Sequence, residues 1–468
     1  MKDFKDYFKG KKITVMGLGL LGRGVGDVAF LAESGAELVV TDKKTRETLA
    51  ESLSKLSEYS NIVYVLGEHR MEDFEGRDMI LVAAGVPMDS PYLVHAREHN
   101  VALVQSAALF AQLSGVSIIG VTGTRGKSTT THMIHHVLSH VTEGAPVILG
   151  GNVRGVSNLQ LLKEVEEDSL AVMELDSWQL QGFGWAKISP HIAVFTTFME
   201  DHMNYYHHDM DAYFADKAQI FKYQEESGVL VTTQEVFTWA QKFMKKEGEE
   251  FHQEIKLVDA SLLPEDCILA MPGEHNRLNA ALATEALRAT GLTDEEIFEG
   301  LATFPGVPGR LEYLGEVKVV NPATKGGWVK IYNDNNSTTP TATIVGLRAV
   351  SKGKNVVLIM GGDEKSLDMS GLIKEIPSYC SKVVLFKERG TDRIRDEVFA
   401  LKEQGVDVYE EQGLEATVSR ALEIAMSGEV ILYSPAFSSF GTYFKNEYDR
   451  NDQFVAAIKM IQEPLSDS

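Results

Sequence analysis

At 468 residues the chain is too long for one ordinary core and points to several domains, and its 44% hydrophobic and 24% charged content is that of a globular protein. A formal net charge of -22 disfavours a broad electrostatic grip on nucleic acid or an anionic membrane, while a few lysines and backbone N–H groups can still build a pocket for small anions. Cys267 and Cys380 stand far apart without metal-ligand spacing, which argues against a disulfide framework. The charged start has no signal-peptide core and no apolar run nears the ~20 residues of a membrane span, so the expectation is a cytoplasmic enzyme.

In chain order, Ile13, Thr14, Val15 and Met16 form a short apolar strand, followed by glycines and a helix-like run over 26–33. Residues 37–41 and 79–83 read as further strands. Strands separated by helices imply a parallel sheet with helices on its faces. The pattern restarts with a buried strand at 116–121. Thr293, Asp294, Glu295 and Glu296 form a capping box opening a short helix, and the breakers Pro305, Gly306, Pro308 and Gly309 suit a linker. Strands at 355–360, 382–386 and 430–434 mark a third segment. The reading is an α/β chain of three domains: a Rossmann-like 1–112, a central phosphate-loop domain 113–308, and a second Rossmann-like domain 309–468.

Gly120-Val121-Thr122-Gly123-Thr124-Arg125-Gly126-Lys127-Ser128-Thr129-Thr130 lies between the buried strand and a helix-like run over 130–138. Glycines let backbone N–H groups curl around phosphate, and the helix N-terminus adds its positive dipole end. Lys127 is placed to reach the outer phosphates of ATP and the Ser128 hydroxyl to ligate Mg²⁺. The general pattern wants glycine where this chain has Val121, and a purely structural glycine-rich connection is the competing reading. Glu174, ending the strand 170–173, is a further Mg²⁺ candidate, because a carboxylate at a strand's carboxyl end beside a phosphate loop can hold the ion directly or through water.

Gly17-Leu18-Gly19-Leu20-Leu21-Gly22 fits the dinucleotide fingerprint, and Asp42 follows about 20 residues on, where a ribose-binding acid sits. Alone, this fits an NAD-dependent dehydrogenase, a UDP-sugar-binding protein without turnover, or a structural turn. A uridine diphosphate satisfies the physics of the loop as well as NAD does. The phosphate loop favours an ATP enzyme, since a dehydrogenase does not need it.

Residues 122–129 resemble the ATP loop of the Mur ligases, which also lack that first glycine. The resemblance covers nearly the whole chain and is strongest to the glutamate-adding branch. It implies ATP-dependent ligation of D-glutamate to UDP-N-acetylmuramoyl-L-alanine through an acyl phosphate, in peptidoglycan precursor synthesis. It further implies Mg²⁺, small-molecule substrates with no nucleic-acid or membrane partner, and a monomer.

The resemblance also assigns residues. Gly123, Thr124, Arg125, Gly126, Lys127, Ser128 and Thr129 would bind ATP. So would Asn276 and Asn279 of Gly273-Glu274-His275-Asn276-Arg277-Leu278-Asn279, together with Arg310 and Asp334. Leu18, Gly19, Leu20, Leu21 and Asn152 would hold the UDP substrate, with Asp42 and Lys43 near the uracil. His202, in Phe198-Met199-Glu200-Asp201-His202, would bind a second metal, and Lys217 would carry a carbamate that ligates it. Lys365, Ser439 and Phe440 would face the amino acid. The chain departs from the family's pattern at Asp176, where a serine is usual, at Gly309 in place of histidine, and at Asn336 in place of lysine; its hairpin over 319–328 is longer. L-glutamate therefore stays open beside the D-isomer.

Overall fold

The computed structural model describes residues 4–20, 22–141, 145–265, 267, 269–319, 327–364, 366–439 and 441–462. Strands β1 (Lys12–Met16), β2 (Glu37–Asp42), β3 (Ile62–Leu66), β4 (Met79–Val82) and β5 (Ala102–Val104) form a first sheet in the order β3-β2-β1-β4-β5. All of its pairs are parallel. The order reverses between β1 and β4, and a crevice at such a switch point is where open α/β sheets bind ligands.

The second sheet takes β6 (Ser117–Thr122), β7 (Val147–Gly151), β8 (Leu170–Glu174), β9 (Ile192–Phe195), β10 (Val229–Thr232) and β11 (Glu254–Leu257) in the order β11-β10-β9-β6-β8-β7, again parallel throughout. The third takes β12 (Glu312–Val319), β13 (Gly327–Asn333), β14 (Val356–Met360), β15 (Cys380–Phe386), β16 (Asp407–Glu411) and β17 (Val430–Tyr433) in the order β12-β13-β17-β14-β15-β16. There, among the described residues, only the β12–β13 pair is antiparallel, and residues 320–326 lie outside the described residues. Central strands such as β6 and β14 are buried along nearly their whole length, as sheets covered on both faces require.

The chain gathers into two compact units: Met1–Cys267 with Leu278–Leu301, and Ile268–Arg277 with Ala302–Ser468. The first unit holds two sheets and an apolar core that runs between them, in which Val28 and Leu31 of the first sheet's side join Leu159 and Leu162 of the second. The expected boundary after residue 112 falls inside the helix Ser106–Ser114, whose Ala107, Ala108, Leu109 and Phe110 are buried in that core. A boundary read from where a strand pattern restarts does not reveal a helix shared between two sheets.

Two helix starts show what the local sequence dictates. The capping box is present: Thr293 N–H donates to Glu296 Oε2 at 2.8 Å, and Glu296 N–H to Thr293 Oγ1 at 3.4 Å. The first long helix runs over Arg23–Glu33, three residues earlier than its apolar periodicity suggests, because Gly22, Gly24 and Gly26 hide the start. Among the described residues, no helix is long and apolar enough to cross a membrane. Cys267 and Cys380 form no disulfide.

Candidate functional site

The phosphate loop joins β6 to the helix Lys127–Val141. Its glycines are required by geometry. Gly123 has φ +145°, and a Cβ there would stand 2.0 Å from Thr196 Oγ1; a Cβ on Gly126 would stand 2.4 Å from Asn279 Oδ1. The segment after β9 props the loop from behind: Thr124 N–H donates to the Thr197 carbonyl at 2.7 Å, and Arg125 N–H to Thr197 Oγ1 at 2.9 Å. Sequence reasoning placed Thr196 and Thr197 in the stretch that leads to His202 but gave them no role.

Lys127 Nζ donates to the carbonyls of Gly123 (2.9 Å) and Thr124 (3.2 Å). Lys217, in the helix Met210–Ala218, is 1% exposed, and its Nζ also donates to the Gly123 carbonyl at 2.9 Å. Burial drives the Lys217 amine well below the ordinary lysine range, and the nearby Lys127 cation pushes the same way. His202 sits at φ +54°, a left-handed conformation uncommon for a side-chain-bearing residue. Its ring packs on Trp178 with centroids 4.6 Å apart, and Nε2 lies 3.9 Å from Asp201 Oδ2. Burial lowers the His202 pKa, Lys127 and Lys217 add to that, and Asp201 opposes it; a neutral imidazole is the ligand-competent form. Glu174, buried at the end of β8, receives Asn152 Nδ2–H at 3.5 Å on Oε1, while Asn152 N–H donates to the Glu174 carbonyl at 2.7 Å.

At the switch point of the first sheet a cavity of about 340 Å³ is lined by Leu18, Gly19 and Leu20 of the first glycine loop, by Asn152, and by Asp176 and Trp178. Leu21 lies outside the described residues, and Lys43 is exposed. Asp42, 5% exposed, accepts the N–H groups of Leu18 (3.0 Å) and Gly19 (3.2 Å) on Oδ2. It therefore braces the glycine loop itself. Asp176 caps the helix Ser177–Ala186 in a reciprocal box with Gln179, a role that aspartate fills as well as serine. Arg23, which sequence reasoning missed, also lines the cavity and donates from Nη1 to Asn152 Oδ1 at 2.5 Å.

In the second unit, Asp334 is 6% exposed and accepts from Leu311 N–H (3.2 Å), Ser337 Oγ (2.5 Å) and Ser434 Oγ (3.0 Å). Burial nonetheless raises its pKa to about 6. Asn276 is buried, with Nδ2 donating to the Pro272 carbonyl at 2.8 Å, and Arg310 is exposed. A Cβ at Gly309 would stand 2.8 Å from Asn451 Oδ1 and 3.2 Å from Asn336 Nδ2, so these two amides fill the space where the family carries a histidine. Asp363 and Ser438 exchange backbone hydrogen bonds, which sets the loop bearing buried Ser439 beside the loop that leads to Lys365. Lys365 and Phe440 themselves lie outside the described residues.

A different group could hold a divalent cation: Glu75, His95 and His99 of the first sheet's flank, whose ligand atoms lie within 4.8 Å of one another. None of them belongs to the metal set expected from sequence.

The Mur ligase middle domain family matches residues 121–287, and the Mur ligase MurD-like N-terminal domain family matches residues 11–105. The chain is 32% identical to the UDP-N-acetylmuramoylalanine–D-glutamate ligase of Roseiflexus sp. (strain RS-1), covering 96% of this chain and 98% of that protein. It is 31% identical to the enzyme of the same name from Borreliella afzelii (strain PKo), covering 97% and 99%. The fold matches the UDP-N-acetylmuramate-alanine ligase MurC of Thermotoga maritima with a TM-score of 0.58 at 19% identity, over 96% of this chain and 99% of that one. It matches the MurF ligase of Thermotoga maritima with a TM-score of 0.57 at 14% identity, over 98% and 99%.

Proposed function

The chain belongs to the Mur ligase family, ATP-dependent ligases that add an amino acid to a UDP-N-acetylmuramoyl intermediate of cell-wall synthesis, and on that footing we propose that it joins D-glutamate to UDP-N-acetylmuramoyl-L-alanine in the cytoplasm. A three-part division, with its first boundary moved past the helix Ser106–Ser114, then separates the work: UDP substrate, ATP and amino acid. The observation that supports the reading is the junction of two ligand-shaped features within one unit. Asn152 lines the switch-point cavity and touches Glu174, and Glu174 pairs across the sheet with Val121 at the root of the phosphate loop.

In the proposed reaction the alanyl carboxylate attacks the γ-phosphorus of ATP, ADP leaves, and an acyl phosphate forms. The amine of glutamate then adds to the acyl carbon, and phosphate departs with the proton lost from nitrogen. Residues 123–129 cradle the phosphates, and Lys127 swings from the Gly123 carbonyl to the transferring phosphoryl group, offsetting its growing charge. Asn276, Asn279, Arg310 and Asp334 hold the nucleotide. Leu18, Gly19, Leu20, Leu21, Asp42, Lys43 and Asn152 position the UDP end, and Lys365, Ser439 and Phe440 receive the glutamate. Ser128, Glu174, neutral His202 and a carbamylated Lys217 suit Mg²⁺ by donor chemistry, since three offer oxygen. Bound there, Mg²⁺ would neutralise phosphate charge.

Phosphate release with UDP-N-acetylmuramoyl-L-alanine, ATP and Mg²⁺ tests this against D-glutamate, L-glutamate, meso-diaminopimelate and L-lysine. We expect D-glutamate to react fastest. A faster dibasic acceptor overturns the glutamate assignment, and a clear preference for L-glutamate overturns the stereochemistry alone.

A further inference from the structure

We infer that Arg23 is the residue that grips the diphosphate of the nucleotide-sugar substrate. The inference rests on the reading of the switch-point cavity as the UDP site, and it names a contact that neither the fingerprint nor the family pattern supplies.

The argument is one of charge and of donors already spent. Among the described residues lining the cavity, Arg23, Asp27 and Asp176 are the ones with ionisable side chains, so Arg23 is its one cation. A diphosphate diester brings two negative charges into a space that already faces two carboxyl groups. In a glycine loop of this kind the backbone N–H groups usually answer that charge. Here those of Leu18 and Gly19 are turned onto Asp42 Oδ2. The cation is supplied at the start of the helix Arg23–Glu33, whose Gly22 cap carries no side-chain acceptor and whose first residue bears the guanidinium. An arginine fork matches two phosphate oxygens at once, and the helix dipole reinforces it.

The guanidinium is also held in place. One of its five donors goes to Asn152 Oδ1, and the Asn152 amide reaches Glu174 Oε1. Asp27, one turn along the same helix, accepts from Ser157 Oγ (2.6 Å) and Leu159 N–H (3.2 Å), which fixes that helix against the second sheet's loop. Arg23 thus stands in a fixed frame between the diphosphate end of the cavity and the carboxylate that ends β8.

The test uses the full chain and its Arg23→Gln variant, which keeps an N–H donor toward Asn152 but drops the charge, with Arg23→Lys as a second variant that keeps the charge and loses the fork. Titration calorimetry with UDP and with UMP isolates the second phosphate. Arg23→Gln is expected to lose at least about tenfold in UDP affinity, the scale of a lost charge-assisted pair, while UMP affinity changes less than about twofold on the same scale. The KM for UDP-N-acetylmuramoyl-L-alanine should rise in parallel, with the KM for ATP and the melting temperature unchanged, and Arg23→Lys should fall between. Unchanged UDP affinity overturns the inference. So does an equal loss of UDP and UMP binding accompanied by a lower melting temperature, which would make Arg23 a strut. If UDP binds as described but no amino acid supports phosphate release, the reaction proposed above fails and the Arg23 contact stands.

Discussion

Lys127 and Lys217 meet on a single acceptor: the Nζ of each donates to the carbonyl oxygen of Gly123 at 2.9 Å. Two ammonium groups on one oxygen repel, and Lys217 is the one buried to 1% exposure. The arrangement favours Lys217 as the neutral amine, the form that adds to carbon dioxide to give a carbamate and a proton. Carbamylation would set an anion beside the Lys127 cation and supply an anionic oxygen beside the phosphate loop.

Lys217→Ala should therefore be nearly inactive and should regain measurable turnover with added acetate or another short carboxylate, which replaces the missing oxygen. Steady-state phosphate release across a carboxylate titration checks this. A fully active Lys217→Ala enzyme contradicts it.

Lys127→Ala should cut kcat by at least ~10²-fold, the usual effect of deleting one donor that stabilises transition-state charge. ATP affinity measured by calorimetry should fall much less, since residues 123–129 offer backbone donors as well. Equal losses in affinity and in kcat would mean that Lys127 binds ATP without favouring the transition state.

The organisation was legible wherever one local pattern had one cause. Apolar runs between glycine loops gave the central strands β1, β4, β6, β14, β15 and β17, and Thr293 with Glu296 gave its capping box. Edge strands such as β11 escaped, because Glu254 and Lys256 alternate with Ile255 and Leu257 and leave no apolar run. Within the site, both glycine loops were visible as letters, whereas Asp42 bracing Leu18 depends on a contact 24 residues away in sequence. Arg23 carried no signal, because the first position of a helix accepts almost any residue and a cavity wall cannot be seen in one dimension. Asp176 was misleading in a different way: it departs from the family's serine, yet it serves as a helix cap, a role either residue can fill.

Asp334 gives a pH-dependent outcome. Its pKa, raised by burial to about 6 from 3.8, means the folded chain keeps a proton over that interval which the unfolded chain has lost. Stability from this group is thus fully present below the unfolded value and declines as pH rises toward about 6, by at most about 3 kcal/mol. Asp334→Asn removes the titration, so its melting temperature relative to the parent should climb between pH 4 and pH 6 and level off above. A difference that stays flat across that interval contradicts the assignment.

The most direct test of the whole account follows oxygen. UDP-N-acetylmuramoyl-L-alanine labelled with ¹⁸O in its alanyl carboxylate is turned over with ATP, Mg²⁺ and D-glutamate, and the released phosphate is weighed by mass spectrometry. If the carboxylate attacks ATP and glutamate then displaces phosphate, one labelled oxygen appears in each phosphate, and the amide product keeps the other. Unlabelled phosphate, or phosphate released at the same rate without D-glutamate, would contradict ligation through an acyl phosphate.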